Sequence, residues 1–159
     1  MLKITPFLWF DGQAEEAANH YVSIFPNSRV LSVLRTGDAG PGPKGSVLTV
    51  AFTLDGNEIT ALNGGPPFKF SEAISFQVTC DTQEEVDYFW DKLTAGGDVK
   101  AQQCGWLKDR FGLSWQVVPD YLIEALLDRD IERSTRVMGA MMQMTRIDIG
   151  ALQRARDGA

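Results

Sequence analysis

Residues Cys104 to Gln116, CGWLKDRFGLSWQ, are the densest run of chemically useful side chains in this sequence. Trp106 and Trp115 offer flat apolar walls, and the Gln116 carboxamide can both donate and accept. Lys108 and Arg110 stand near enough in sequence to Cys104 to favour its thiolate, the nucleophilic form. Cys104 is therefore the candidate catalytic residue, and Trp106, Trp115 and Gln116 are candidate ligand-binding residues. Trp9 can join the aromatic set from the first apolar segment. Asn63 and Gln77 add amides at strand positions with one buried face, where each must find partners and a ligand is one candidate. The competing reading is that these aromatics are core, as Trp and Phe usually are.

Several chemistries lack their residues. The chain has 1 His, His20, about 120° from the apolar stripe of its helix, which suits a boundary position. A metal site with several histidines in one chain is thereby excluded, and so is a His-dyad mechanism. The acids lie mostly on helix faces and turns, so no metal is expected. Gly40 to Gly45, GPGPKG, matches neither the P-loop nor the dinucleotide glycine pattern, and its prolines remove amide donors. It reads as a connection or as a flap over a cleft. No strand-to-helix junction carries a nucleotide fingerprint, so no cofactor is expected.

These residues are carried by a pattern that occurs twice. Leu2 to Phe10 suits a strand, and a helix from about Gln13 puts Ala14, Ala17, Ala18, Tyr21 and Phe25 on one face before Pro26 ends it. Residues 28–36 suit an edge strand, and Val47 to Leu54 and Glu58 to Leu62 form a hairpin around Asp55-Gly56. After the linker Asn63-Gly64-Gly65-Pro66-Pro67 the order recurs. Ala73 to Cys80 reads as a strand, and Thr82 with Glu85 as a capping box. The helix that follows carries Val86, Phe89, Trp90 and Leu93 on one stripe and stops at Gly96-Gly97. Two or three short strands lie between Asp98 and Pro119, with a hairpin around Gly112. Helices are expected from Pro119-Asp120 to about Leu127, from Ile131 to Thr145, and from near Asp148. Met138, Met141 and Met142 share one stripe of the second of these, for packing on the sheet or across a dimer interface. The chain divides into modules 1–65 and 66–119 and a helical extension 120–159, together one compact domain.

Composition is that of a globular chain: 159 residues, 44% hydrophobic and 23% charged, enough to build a core without staples. Net charge is −6, and neither half is basic, so nucleic acid is not an expected partner. Two cysteines without a C-x-x-C pair, no secretory signal and no long apolar run point to a cytoplasmic protein that engages no membrane.

Five segments together resemble the PhnB-like family, often labelled 3-demethylubiquinone-9 3-methyltransferase-like, of the glyoxalase/bleomycin-resistance/dioxygenase (vicinal oxygen chelate) superfamily. They are ALNGGP at 61–66, AISFQV at 73–78, QEEVDYFW at 83–90, the 104–116 run, and RVMGAMMQM at 136–144. The resemblance implies an α+β fold, two βαβββ modules forming a half-open sheet around a cavity, usually in a homodimer. It also implies where metal-dependent members place His and Glu, on the first and last strands of each module. Here the first strand offers Phe7, Leu8 and Trp9, and the second module's offers Ser75 and Gln77. Gln116 stands where relatives often place a ligating Glu, with Thr60 its counterpart in the first module. Amides and hydroxyls are weak metal ligands. The expectation is a metal-independent, homodimeric small-molecule-binding protein whose flat, partly apolar ligand lies among Trp9, Trp106 and Trp115 and is oriented by Asn63, Gln77 and Gln116. The alternative is an enzyme of the same superfamily, a metal-assisted lyase, dioxygenase or transferase, or one using the Cys104 thiol.

Overall fold

The structure, a computed structural model, describes residues 2–159. It divides into two compact units, Met1–Phe70 and Ser71–Ala159, so the boundary falls past the expected 65/66 and the C-terminal helices group with the second module.

In the first unit, β1 (Phe7–Phe10) leads to α1 (Ala14–Ile24), then to β2 (Arg29–Arg35), β3 (Val47–Leu54) and β4 (Asn57–Asn63). The sheet order is β1-β4-β3-β2, with β1 parallel to β4 and the other pairs antiparallel. This is the expected βαβββ module. The first strand is shorter than its apolar run: Pro6 has no N–H to donate, and Leu2 and Ile4 lie exposed ahead of it. Asp55 (φ 44°) and Gly56 (φ 77°) both take left-handed backbone, the combination a two-residue type I′ hairpin turn requires. Leu8, Phe10, Val50, Phe52, Ile59 and Ala61 are buried, as are Ala14, Ala17, Ala18 and Tyr21 of α1, which packs on the sheet. The 37–45 connection is tied to itself: Thr36 N–H donates to Ser46 O, Gly45 N–H to Thr36 O, and Thr36 Oγ1 to Pro41 O.

The second unit repeats the plan with one strand fewer. β5 (Phe76–Cys80), α2 (Gln83–Thr94), β6 (Trp106–Lys108) and β7 (Ser114–Pro119) form a sheet of order β5-β7-β6, with β5 parallel to β7. A short 3-10 turn, Val99–Ala101, and an isolated bridge from Gln103 to Trp106 occupy the stretch where the first unit has its edge strand. β5 starts at Phe76 rather than Ala73, because its partner β7 supplies Trp115 opposite Phe76 and then turns away through the 109–113 hairpin. The capping box forms: Glu85 N–H donates to Thr82 Oγ1, while Glu85 Oε2 accepts from Asp81 N–H, one residue before the usual recipient. α2 places Val86, Trp90 and Leu93 in the core with Leu107, Trp115, Val117 and Cys80.

The extension forms α3 (Asp120–Leu126), α4 (Ile131–Met141) and α5 (Ile149–Asp157). It builds its own cluster from Val118, Leu122, Ala125, Val137, Ile147 and Leu152. α4 ends at Met141 instead of reaching Thr145. The carbonyls of Met144 and Thr145 accept from the Cys104 and Gly105 amides, which draws this segment out of helical geometry. Met138 and Met142 are correspondingly exposed, at 43% and 49%, while Met141 packs on the helical cluster.

Candidate functional site

Ladder register decides which of the expected residues share a surface. Gln116 on β7 lies opposite Gln77 on one side and Trp106 on the other, so the three form a single row across the second sheet. Paired residues in a ladder project to the same face. That face is the one opposite Phe76, Trp115 and Val117, hence opposite α2. Ser75 and Thr79 flank Gln77 on it, and Lys108 and Ser114 form the next pair on the same face.

The groups are held but accessible. Gln116 Nε2 donates to Ser75 Oγ at 3.0 Å, and Gln77 Nε2 to Thr79 Oγ1 at 3.2 Å. Gln77 is exposed, Gln116 half-buried, and Trp106 is 37% exposed. The Lys108 ammonium pairs with Glu72. That hydrogen bond, a backbone bond and the charge of Lys108 hold the Glu72 carboxyl below the usual carboxylate range. Amide oxygens, an indole and an ammonium suit recognition of a planar polar molecule. Among the described residues no three His, Cys, Asp or Glu side chains converge where a metal ion could be held.

The other expected residues are occupied within their own units. Asn63, at the end of β4, accepts the Ala14 N–H at the start of α1 through Oδ1 (2.9 Å) and donates from Nδ2 to Val47 O (3.0 Å). It serves as the helix cap that Gln13 does not provide. Trp9 donates from Nε1 to Gly65 O and meets Phe68 edge to face at 4.9 Å. A Cβ at Gly64 would lie 2.2 Å from the Trp9 ring, so only glycine lets the linker cross there. Trp115 is 3% exposed and donates to Asp109 Oδ2, whose Oδ1 accepts from the Phe111 and Leu113 amides. Cys104 is half-buried with φ 52°, and its amide is held by Met144 O. Gly105 beside it (φ 83°) approaches so closely that a Cβ would sit 2.9 Å from Val117 O. His20 lies half-buried at the edge of α1, as expected of a boundary residue.

Sequence reasoning placed Lys108 only as a neighbour of the Cys104 thiol, and it did not reach Ser114 or Glu72. Lys108 was visible as a strand cation beside Trp106. Ser114 and Glu72 gave no local signal, because only strand pairing and the turn before β5 bring them to Lys108. A cleft of about 570 Å³ lies elsewhere, between α2 and the segment ahead of α5, lined by Gln83, Asp87, Trp90 and Arg146 among others. Its polar groups serve the fold: Gln83 bonds Asp87, Ile147 O and the Ile149 amide, and Arg146 pairs with Asp87 and Asp91.

Two small sheets, each with its first strand parallel to its last and a helix on one face, define an α+β protein of the glyoxalase/bleomycin-resistance/dioxygenase class. The fosfomycin resistance protein FosX from Mesorhizobium loti shares this fold, with a TM-score of 0.53 at 11% identity over 79% of this chain and 97% of that one. A protein from Pseudomonas aeruginosa does so with a TM-score of 0.60 at 22% identity, over 75% of this chain and 98% of that one. The PhnB protein from Bacillus cereus is 39% identical, with a TM-score of 0.66 over 74% of this chain and 99% of that one. The model of the 3-demethylubiquinone-9 3-methyltransferase family matches residues 2–118. The chain belongs to that family and is PhnB-like. No match was found among curated proteins.

Proposed function

We propose that this protein is a metal-independent, cytoplasmic, homodimeric small-molecule-binding protein, and that its ligand lies on the α2-free face of the second sheet. The row Gln77–Gln116–Trp106 carries this reading. A flat ligand stacks on the Trp106 indole and is fixed in its plane by the two carboxamides. Gln116 supplies an amide at the position where metal-dependent relatives often supply a carboxylate, which favours hydrogen bonding over ligation. Binding of this kind requires no acid, base or nucleophile. Two free thiols accord with a reducing compartment, and among the described residues no helix is long and apolar enough to cross a membrane.

Native mass spectrometry on protein purified without a chelator tests this directly. The expected species is a dimer carrying one organic adduct per subunit, with the adduct lost from Gln116→Leu while the dimer persists. A stoichiometric metal would overturn the reading and put enzymatic chemistry first. An adduct retained in both Gln116→Leu and Gln77→Leu would remove the amide row from the site.

A further inference from the structure

We propose that this face takes its ligand by a carboxylate, which exchanges with Glu72 on the Lys108 ammonium; the inference rests on the binding site proposed above and names the ligand's charged group. Lys108 stands two residues from Trp106 on β6, so both side chains rise from the same face. Directly across the ladder is Ser114. It is 1% exposed, and its Oγ has no hydrogen-bond partner. Buried hydroxyls rarely go unpaired, because they give up a bond to water and recover nothing for it. A lysine and a residue with an unused hydroxyl thus hold paired register positions, the next pair on the same face as the amide row.

The ion pair that holds Lys108 is built to open. The two side chains differ in exposure, 27% for Lys108 and 66% for Glu72. Lys108 is fixed in the ladder, whereas Glu72 belongs to the turn that precedes β5. Exposed ion pairs of this sort add little to stability, so releasing Glu72 costs the fold little. An incoming carboxylate recovers the same charge-assisted bond to Nζ, and its second oxygen reaches Ser114 Oγ by displacing the atoms that enclose that hydroxyl in the free protein. An aromatic body attached to it then extends toward Trp106 and Gln116. The chain carries a net charge of −6, so a local cation is what makes an anion welcome on this surface.

The test titrates two probes of equal shape, 2-naphthoate and the neutral 2-naphthamide, into the full chain and follows binding by calorimetry and NMR. Wild type should prefer the naphthoate. Glu72→Gln should raise naphthoate affinity about 3- to 10-fold by removing the competitor and leave naphthamide affinity nearly unchanged. Lys108→Met should reduce naphthoate to the naphthamide level, with Lys108→Arg restoring part of the preference. Ser114→Ala should weaken naphthoate without lowering the thermal midpoint, because no bond is lost from the free protein. Equal binding of both probes to wild type and Lys108→Met, abolished by Gln116→Leu, would overturn the carboxylate inference and leave the site standing. Failure of both probes to bind at millimolar concentration would overturn the inference and count against the site as well.

Discussion

Asn63 illustrates how a residue suited to orienting a ligand can be used up by the fold. Its carbonyl oxygen completes the first turn of α1 and its amide nitrogen closes on the start of β3, so both ends of the side chain hold unit 1 together. Asn63→Ala should cost about 1–2 kcal/mol in denaturant unfolding, from a lost helix cap plus an unpaired carbonyl. Asn63→Asp should cost less, since the carboxylate still accepts from Ala14 and lies at the positive end of a helix. Asp109 plays the parallel part in unit 2, taking three hydrogen bonds from one hairpin and from Trp115. The role of Asn63 was not legible locally, because Ala14 and Asn63 lie far apart in sequence. The one hint was Gln13, a poor cap residue where the helix begins. By contrast, the row of Gln77, Gln116 and Trp106 was legible as residue types and became a surface only once strand register was known.

At the scale of elements, features encoded by neighbouring residues read correctly from sequence, and those set by distant partners did not. The Asp55-Gly56 turn, the Thr82–Glu85 capping pair and the Gly96-Gly97 stop each rest on a few adjacent residues. The lengths of β1, β5 and α4 depend on what lies alongside, so apolar runs overstated all three. The C-terminal helices are clasped by polar groups as well as by their apolar cluster. Arg156 donates to Asp128, and Arg136 donates to the Ala155 and Arg156 carbonyls. A hydrogen bond from the Asp130 amide, followed by the bond from Arg156, holds the Asp128 carboxyl below the usual carboxylate range. An acid with a depressed folded value stabilises above its unfolded value and loses that contribution as pH falls through the folded one. The helical extension should therefore loosen on acidification below the usual carboxylate range. Hydrogen exchange of α5 amides should show a smaller pH dependence in Asp128→Asn than in wild type.

For the whole molecule, duplication was the most legible feature and the loss of a strand in the second copy the least. Repetition of strand, helix and hairpin in sequence identified the architecture before any packing was known. The missing strand follows from a stretch, 97–105, that is spent on a 3-10 turn and on gripping the segment between α4 and α5. The family match ends at residue 118, so α3 to α5 lie outside it. Both cysteines belong to unit 2, where they report on its integrity. Burial, helped by Glu85 and Asp81, pushes the Cys80 thiol up to about 12, and its side chain is fully enclosed. Alkylation at neutral pH should modify Cys104 alone in the native protein and reach Cys80 only when the sheet opens. Rapid labelling of Cys80 under native conditions would contradict the packing described for α2.

The edge strand β2 has a bearing on how this protein behaves in concentrated solution. Its sequence, RVLSVLR, leaves Leu31, Val33 and Leu34 exposed along a free sheet edge, the kind of segment that recruits like strands into aggregates. Arg29 and Arg35 bracket it, and two register shifts, between Val30 and Ser32 and between Leu34 and Arg35, break the regular spacing that a docking strand would need. Charge at both ends and irregularity within work against the docking of a second strand on this apolar edge.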